Sequence, residues 1–260
     1  MTFKSIPAAA KRYGFILEGL GAHSSRTIML SELELLLRAT PASSGIQSYE
    51  FAILEDNALL KRTDSTRIES FRRLRELYGL NKHLVLFRVL RDLWEYEPAA
   101  QPMLALLCAT ARDPMLRATA TAILSAHLGG VVTPDAISEA VDKQYPGRLN
   151  KTTLANIGRH AASSWTQSGH LRGRTHKVRV AAQSYPTSLT YALFLGYLCG
   201  SRGEALFHTD WAQLLDTPLD SLHEQAFLAS QQGWLDYRHA GAVTEVGFSY
   251  LLRKDGGADE

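Results

Sequence analysis

Apolar residues recur at intervals of three and four along most of this chain, which is the spacing of one face of an α-helix. The pattern predicts helices over residues 27–38, 49–60, 84–94, 99–111 and 115–128, with Gly129 and Gly130 ending the last of them. Stretches that alternate with the period of a β-strand are few and short. The periodicity therefore predicts a mainly α protein, a helical bundle with short β-hairpins.

The middle of the chain has the clearest local pattern. It predicts one helix over 133–143, capped by Thr133, and a second over about 150–167, capped by Asn150. A basic hairpin that turns near Gly173 follows. Val178 and Val180 alternate with Lys177 and Arg179, which predicts a strand with a basic outer face. Two helices followed by a basic hairpin are typical of a winged helix, whose second helix enters the major groove of DNA.

A similar outline recurs over 187–250, where three helices again precede a hairpin. Here the polar positions are acidic, and such a surface repels phosphates. These residues are Asp216, Asp220, Glu224, Asp236 and Glu245. We expect this copy to contact protein rather than DNA.

Near the N-terminus, a polar turn at 61–64 separates the helix over 49–60 from a helix rich in arginine. This is the outline of a helix-turn-helix, with Arg67 and Arg73 facing away from the apolar stripe. Thr66, Thr63 or Asp64 could cap the second helix. The three patterns divide the chain into an N-terminal helical domain (1–130), a basic winged-helix-like segment (131–183) and an acidic C-terminal segment with a hairpin (184–255).

Charge is distributed unevenly along the 260 residues, although the net charge is only +2. Residues 1–142 are neutral, residues 143–202 contain nine basic and no acidic side chains, and residues 203–260 contain three basic and ten acidic ones. A local positive field favours contact with phosphates. The basic stretch could equally be a solvated face, or could dock against the acidic segment of the same chain.

The candidate DNA contacts are polar and basic side chains on the outer face of the 150–167 helix, on the hairpin and on the arginine-rich helix. Residues of these types reach phosphates and base edges. They are Lys151, Thr152, Asn156, Arg159, Ser163, Arg172, Arg174, Lys177, Arg179, Arg67 and Arg73.

Motifs for catalysis are missing from the sequence, which has no phosphate-binding glycine loop, no His-Glu-x-x-His and no Cys-x-x-Cys. His160, His170 and His176 have no carboxylate nearby in sequence, so we predict no metal and no cofactor. Cys108 and Cys199 lie in apolar runs and are predicted to be reduced core thiols of a cytoplasmic protein. The longest apolar run, 189–199, is about half of the ~20 residues that a membrane span requires.

Four stretches taken together resemble the BrxA family, accessory proteins of BREX (bacteriophage exclusion) defence systems. They are residues 57–67, 104–117, 149–169 with Leu171, and 185–193. The resemblance covers roughly residues 25–250 and consists of helical patterns rather than a catalytic signature. It implies an all-helical protein with small hairpins that binds DNA and works beside a DNA methyltransferase and other BREX proteins.

The leading hypothesis is therefore a non-catalytic, double-stranded DNA-binding accessory subunit of a phage-defence system. Two alternatives remain open at this point. One is a protein-assembly module of the same complex without direct DNA contact, and the other is an RNA-binding protein. The aromatic residues of the basic stretch occupy mostly core-like positions, so the pattern indicates no stacking platform for single strands.

Overall fold

The computed structural model describes residues 3, 5–241 and 243–253, and it is mainly helical as predicted. The α-helices are α1 (Leu30–Ala39), α2 (Ile46–Leu54), α3 (Asp64–Tyr78), α4 (Val85–Trp94), α5 (Gln101–Arg112), α6 (Pro114–Leu124), α7 (Pro134–Gln144), α8 (Lys151–Gln167), α9 (Pro186–Leu198), α10 (Asp210–Gln213) and α11 (Leu219–Gln231). Short 3-10 helices cover Ala8–Tyr13, Ala22–Ser24, Pro98–Ala100 and Gly203–His208. The strands are β1 (Leu171–Arg172), β2 (Val178–Arg179), β3 (Asp236–Ala240) and β4 (Val243–Gly247).

Polar side chains fix where several helices begin, because each accepts a hydrogen bond from an otherwise unpaired N–H of the first turn. Thr63 caps α3 at 3.3 Å, Thr133 caps α7 at 3.2 Å and Asn150 caps α8 at 2.8 Å. The two caps predicted for α7 and α8 are thus confirmed. Of the three candidates before α3, Thr63 is the one that caps it.

Helices α5 and α9 run through the centre of the molecule. Every residue of α5 from Met103 to Arg112 is buried, and α5 packs against α3, α4 and α9. One apolar cluster extends from Phe3 to Leu251 and includes residues from all three predicted domains. Because this common core joins the three segments, their division into separate domains stays a prediction.

In the middle of the chain, α6, α7 and α8 pack against one another around a second, small apolar cluster that includes Val141 and Ile157. The hairpin of β1 and β2 follows, with Leu171 opposite Arg179 and Arg172 opposite Val178. Residues 129–132 run antiparallel along the free edge of β2. The N–H of residue 129 donates to the carbonyl of residue 179 at 2.9 Å, and the N–H of residue 132 to that of residue 177 at 2.9 Å. The connectivity is helix, short bridged segment, helix, helix, hairpin.

Two predicted helix ends are wrong. The helix predicted over 115–128 ends at Leu124, because the chain beyond it turns to pair with β2; Gly129 and Gly130 belong to that paired segment. The helix predicted over 49–60 covers Ile46–Leu54. Asn57 adopts a positive φ of 51° and bonds through its side chain to the backbone of Lys61, which forms a turn where the periodicity indicated helix.

The C-terminal part has the predicted succession of helices and a hairpin. Helix α9 packs against α10 and α11, and the antiparallel pair β3–β4 follows with Asp236 opposite Gly247. Within the part of the chain that the structure describes, no helix has both the length and the apolar character needed to cross a bilayer.

Candidate nucleic-acid interface

Helix α8 presents one polar face to solvent. Thr152 and Arg159 are exposed, and Asn156 and Ser163 are half-buried on the same face; exposed Lys151 flanks it on the side of α7. The Arg159 guanidinium donates to Oδ1 of Asn156, so these two side chains lie together. The structure thus brings four of the five predicted α8 residues onto one face and places Lys151 at its edge.

The other sides of α8 are covered. Trp165 is fully buried, and its Nε1–H donates to Oγ1 of Thr119 at 2.8 Å. On a third side, Nδ1 of His160 lies 3.0 Å from the carbonyl oxygen of His23, in the short helix Ala22–Ser24 that packs on α8. The polar face around Arg159 is therefore the part of α8 that a macromolecule could reach.

The hairpin lies beside this face. Gly173 makes the turn with a φ of +111°, and a Cβ at this position would overlap the carbonyl oxygen of His176. Arg172 and Arg174 are exposed, and Nζ of Lys177 donates to Oγ1 of Thr166, at the end of α8, at 2.8 Å. That bond fixes the hairpin against α8. We call the joint set of exposed and half-buried side chains the α8–hairpin surface: Lys151, Thr152, Asn156, Arg159, Ser163, Arg172, Arg174 and Lys177.

Arg179 does not belong to this surface, which corrects the predicted basic outer face of β2. Its side chain is 2% exposed and points inward, where Nε donates to the carbonyl of Ile123 at 3.0 Å and Nη2 to Oδ1 of Asp216 at 2.7 Å. Pairing of residues 129–132 with β2 turns the expected edge strand into a central one. The face from which the Arg179 side chain projects is covered by the end of α6 and by the segment that contains Asp216.

The neighbouring helix is acidic. Asp135, Glu139 and Asp142 are exposed on α7, and with Lys143 and Lys151 they line a groove between α7 and α8. We call these three carboxylates the α7 acidic edge. The basic stretch is free of acidic residues in sequence, but the fold places three of them next to it. The positive field is therefore confined to the far side of α8 and the hairpin.

The arginine-rich helix α3 offers less charge than predicted. Arg67 donates to the carbonyl of Leu54 at 2.7 Å and lies 3.3 Å from Asp64, and Arg73 pairs with Glu69 and Glu76 at 2.8 and 2.9 Å. The side chains of Arg67 and Arg73 are only 23% and 13% exposed. Hydrogen bonds from Arg72, together with those from Arg73, lower the pKa of Glu69 to about 2. These arginines are committed to partners within the protein, which corrects their predicted outward position.

A serine, a histidine and an aspartate meet inside the molecule in the order of a hydrolase triad. His23 Nδ1 lies 2.8 Å from Oδ2 of Asp113, and His23 Nε2 lies 2.8 Å from Oγ of Ser164. All three are buried, and Ser164 Oγ also accepts from the N–H of Ile28 at 3.0 Å. Although burial raises the pKa of Asp113, the charge and hydrogen bonds of His23 and backbone N–H donors lower it further, so that it lies below its usual value. The arrangement joins the N-terminal segment to α6 and α8, and no substrate can reach its serine without a rearrangement.

The two cysteines are free thiols. Cys108 is fully buried, and burial raises its pKa to about 11; burial likewise raises the pKa of Cys199 to about 11. Both remain protonated near neutral pH and are poor nucleophiles. This agrees with the predicted core role.

One cluster with metal-ligating chemistry escaped the sequence analysis. Among the described residues, Glu204, His223 and His239 bring ligand atoms within 4.8 Å of one another. They are separated by 19 and 16 positions in the sequence and lie on three different elements, so no spacing motif connects them.

Comparison of the chain with protein-family models gave no match, and comparison with curated proteins gave no significant match. The geometry of the α8–hairpin surface is therefore the main basis for a functional assignment.

Proposed function

We propose that this protein is a non-catalytic accessory component of a bacterial phage-defence system that binds double-stranded DNA through the α8–hairpin surface. The observation that carries the proposal is the position of the basic hairpin beside the polar face of α8, fixed by the 2.8 Å bond from Lys177 to Thr166. The resemblance of four stretches to the BrxA family supplies the biological context.

We further propose that residues 114–180 form a winged helix. The supporting feature is the connectivity, in which a short segment at 129–132 separates α6 from α7 and is bridged to the second strand of the hairpin. In this arrangement α8 takes the position of the recognition helix and the hairpin that of the wing.

Electrostatics support the same orientation. Lys151 lies at the N-terminus of α8, where unpaired backbone N–H groups and the helix dipole favour phosphate oxygens. Arg159, Arg172 and Arg174 extend the positive surface toward the hairpin. Because the α7 acidic edge repels phosphates, the duplex would run along α8 and the hairpin, away from α7. On α8 itself, only Asn156 and Arg159 are suited to bidentate base contacts, and they are hydrogen-bonded to each other, so we expect weak sequence preference.

Fluorescence anisotropy with labelled duplex DNA, at two salt concentrations, tests the proposal. The triple variant Arg172→Ala, Arg174→Ala, Lys177→Ala should bind at least about tenfold more weakly at low salt. The slope of log affinity against log salt concentration should also be shallower by about 2 to 3, because up to three phosphate contacts are lost. Single-stranded DNA and RNA of equal length serve as competitors. Stronger competition by RNA than by duplex DNA would replace this proposal with RNA binding.

A matched control removes the same charge elsewhere. Lys11, Arg38 and Lys82 are exposed and lie outside the surface, and their replacement with alanine also lowers the net charge by three. We expect the control to bind within about twofold of the wild type. If both variants weaken binding equally, only total charge matters and the α8–hairpin surface is not the binding site.

One observation favours a second function, assembly with a protein partner. Phe227 and Leu228 on α11 are 56% and 53% exposed, in the acidic C-terminal part of the chain. Adjacent exposed apolar side chains are common at protein interfaces. Under this alternative the purified protein has no affinity for DNA near physiological salt, and Phe227→Ser abolishes co-purification with a defence protein.

A further inference from the structure

Three side chains of the C-terminal part converge from different elements. Glu204 lies in the 3-10 helix Gly203–His208, His223 on α11 and His239 on β3, with one ligand atom of each within 4.8 Å of the others. Nε2 of His223 is 3.3 Å from Oε1 of Glu204, and the rings of His223 and His239 are 5.0 Å apart. Two imidazoles and a carboxylate form a common ligand set for divalent transition metals.

Hydrogen bonds orient two of these three ligands through one buried hydroxyl. Oγ1 of Thr244 donates to Oε2 of Glu204 at 2.6 Å, which uses its only proton. The same oxygen lies 2.8 Å from Nδ1 of His239, so in this second bond it accepts a proton from Nδ1. The neutral His239 ring therefore carries its proton on Nδ1 and keeps a lone pair on Nε2. Oε1 of Glu204, which faces His223, likewise keeps lone pairs that can coordinate a metal ion.

A second orienting bond fixes the remaining imidazole. Nδ1 of His223 lies 2.8 Å from the hydroxyl of Tyr237, and the ring stacks on Phe207 with a centroid distance of 4.2 Å. Metal-binding histidines characteristically make such a bond from their second ring nitrogen, which fixes the ring for coordination.

We propose that Glu204, His223 and His239 bind a divalent transition metal ion of the Zn²⁺ class. Around tetrahedral zinc, ligand atoms at about 2.0–2.2 Å from the metal lie about 3.3–3.6 Å from one another. The Glu204–His223 pair is already at this separation, and a ligand atom of His239 lies within 4.8 Å of both. Outside this trio, Nε2 of His208 is 3.5 Å from Oε1 of Glu204. Oxygen-preferring Mg²⁺ fits this set poorly.

The ion would join the 3-10 helix, α11 and the β3–β4 hairpin, three elements that meet only through the fold. Since the ligands are preformed in the native state and scattered in the unfolded chain, metal binding stabilises the native state.

The test uses untagged, full-length protein freed of metal with EDTA and then dialysed against ZnCl₂ or MgCl₂. We expect one equivalent of zinc per chain by elemental analysis, and a rise in Tm of about 5 °C or more with zinc and none with magnesium. Replacement of zinc by Co²⁺ should give the visible absorption bands of tetrahedral cobalt with nitrogen and oxygen ligands. Less than half an equivalent of bound zinc would overturn the proposal.

Two site variants and one control locate the ion. His239→Ala and the conservative Glu204→Gln should each weaken zinc binding at least about tenfold and abolish the zinc-dependent rise in Tm, while circular dichroism shows that both are folded. His83→Ala, which removes an exposed histidine outside the cluster, should bind zinc like the wild type. Zinc binding that survives both site variants would place the ion elsewhere and refute the assignment. None of these measurements involves DNA.

Discussion

The guanidinium of Arg179 donates to the carboxylate of Asp216 across 2.7 Å, and this ion pair joins the basic hairpin to the acidic C-terminal segment. The second oxygen of Asp216 accepts from the N–H of Ala182 at 2.9 Å. A few residues away, Nε2 of His170 lies 2.8 Å from the carbonyl oxygen of Leu214. The base of the hairpin is therefore anchored to the segment that follows it.

Breaking this ion pair should destabilise the fold rather than remove a DNA contact. Arg179→Met leaves Asp216 without its cation and several carbonyls without a donor, and we expect the free energy of unfolding to fall by about 2–4 kcal/mol. Urea denaturation measures the loss. Arg174→Met, at an exposed position, should change it by less than about 0.5 kcal/mol. Equal stability of Arg179→Met and wild type, together with lost DNA affinity, would return Arg179 to the contact surface.

Neutralising the α7 acidic edge should strengthen DNA binding. In the variant Asp135→Asn, Glu139→Gln, Asp142→Asn, repulsion of phosphates beside α8 is removed, and we expect about three- to tenfold higher affinity for duplex DNA at low salt. The gain should shrink as salt screens the charges. Neutralising three exposed carboxylates of the α2 region, Glu50, Glu55 and Asp56, is the matched control. An equal gain in both variants would show that the effect is not local to α8.

Stability should decrease as the pH falls below neutrality because His170 is buried. Burial lowers the pKa of His170 to about 4 in the folded protein, while in the unfolded chain it is near 6.5. As the pH falls, the unfolded chain therefore binds a proton at His170 before the folded protein does. The free energy of unfolding decreases progressively from pH 6.5 to about pH 4, by about 3 kcal/mol in total. Denaturation curves between pH 7 and pH 4 measure this slope.

His170→Gln, which keeps an amide near Leu214 but does not titrate, should flatten that slope even if it lowers stability at pH 7. Burial also lowers the pKa of His160, which adds a contribution of the same sign. An unchanged slope in His170→Gln would show that His170 is not the titrating group.

The buried triad should behave as a structural element. Ser164→Ala removes a hydroxyl that contacts His23, Ile28 and His160 at 2.8–3.0 Å, and the free energy of unfolding should fall by about 1–3 kcal/mol. A fluorophosphonate reagent should not label the native wild-type protein. Labelling that disappears in Ser164→Ala would instead indicate a reactive serine and contradict a non-catalytic protein.

Local signals in the sequence were sufficient for the approximate positions of the helices and for the caps of α7 and α8. Thr133 and Asn150 cap α7 and α8 as predicted, because capping depends on atoms within three residues of each other. The outward face of α8 followed from its helical period. For the same reason, four of the predicted contacts lie on one face.

Tertiary pairing determined what the local pattern could not. Arg179 alternates like a surface residue, but the end of α6 and the carboxylate of Asp216 hold its side chain inside. The α7 acidic edge precedes the basic stretch in sequence and reaches it only through helix packing. The Glu204–His223–His239 cluster is assembled from three elements. The sequence by itself thus determined the helical character and the charge of each segment, since both are local. The fold alone decided which charges reach solvent, because burial and pairing depend on residues far apart in the chain.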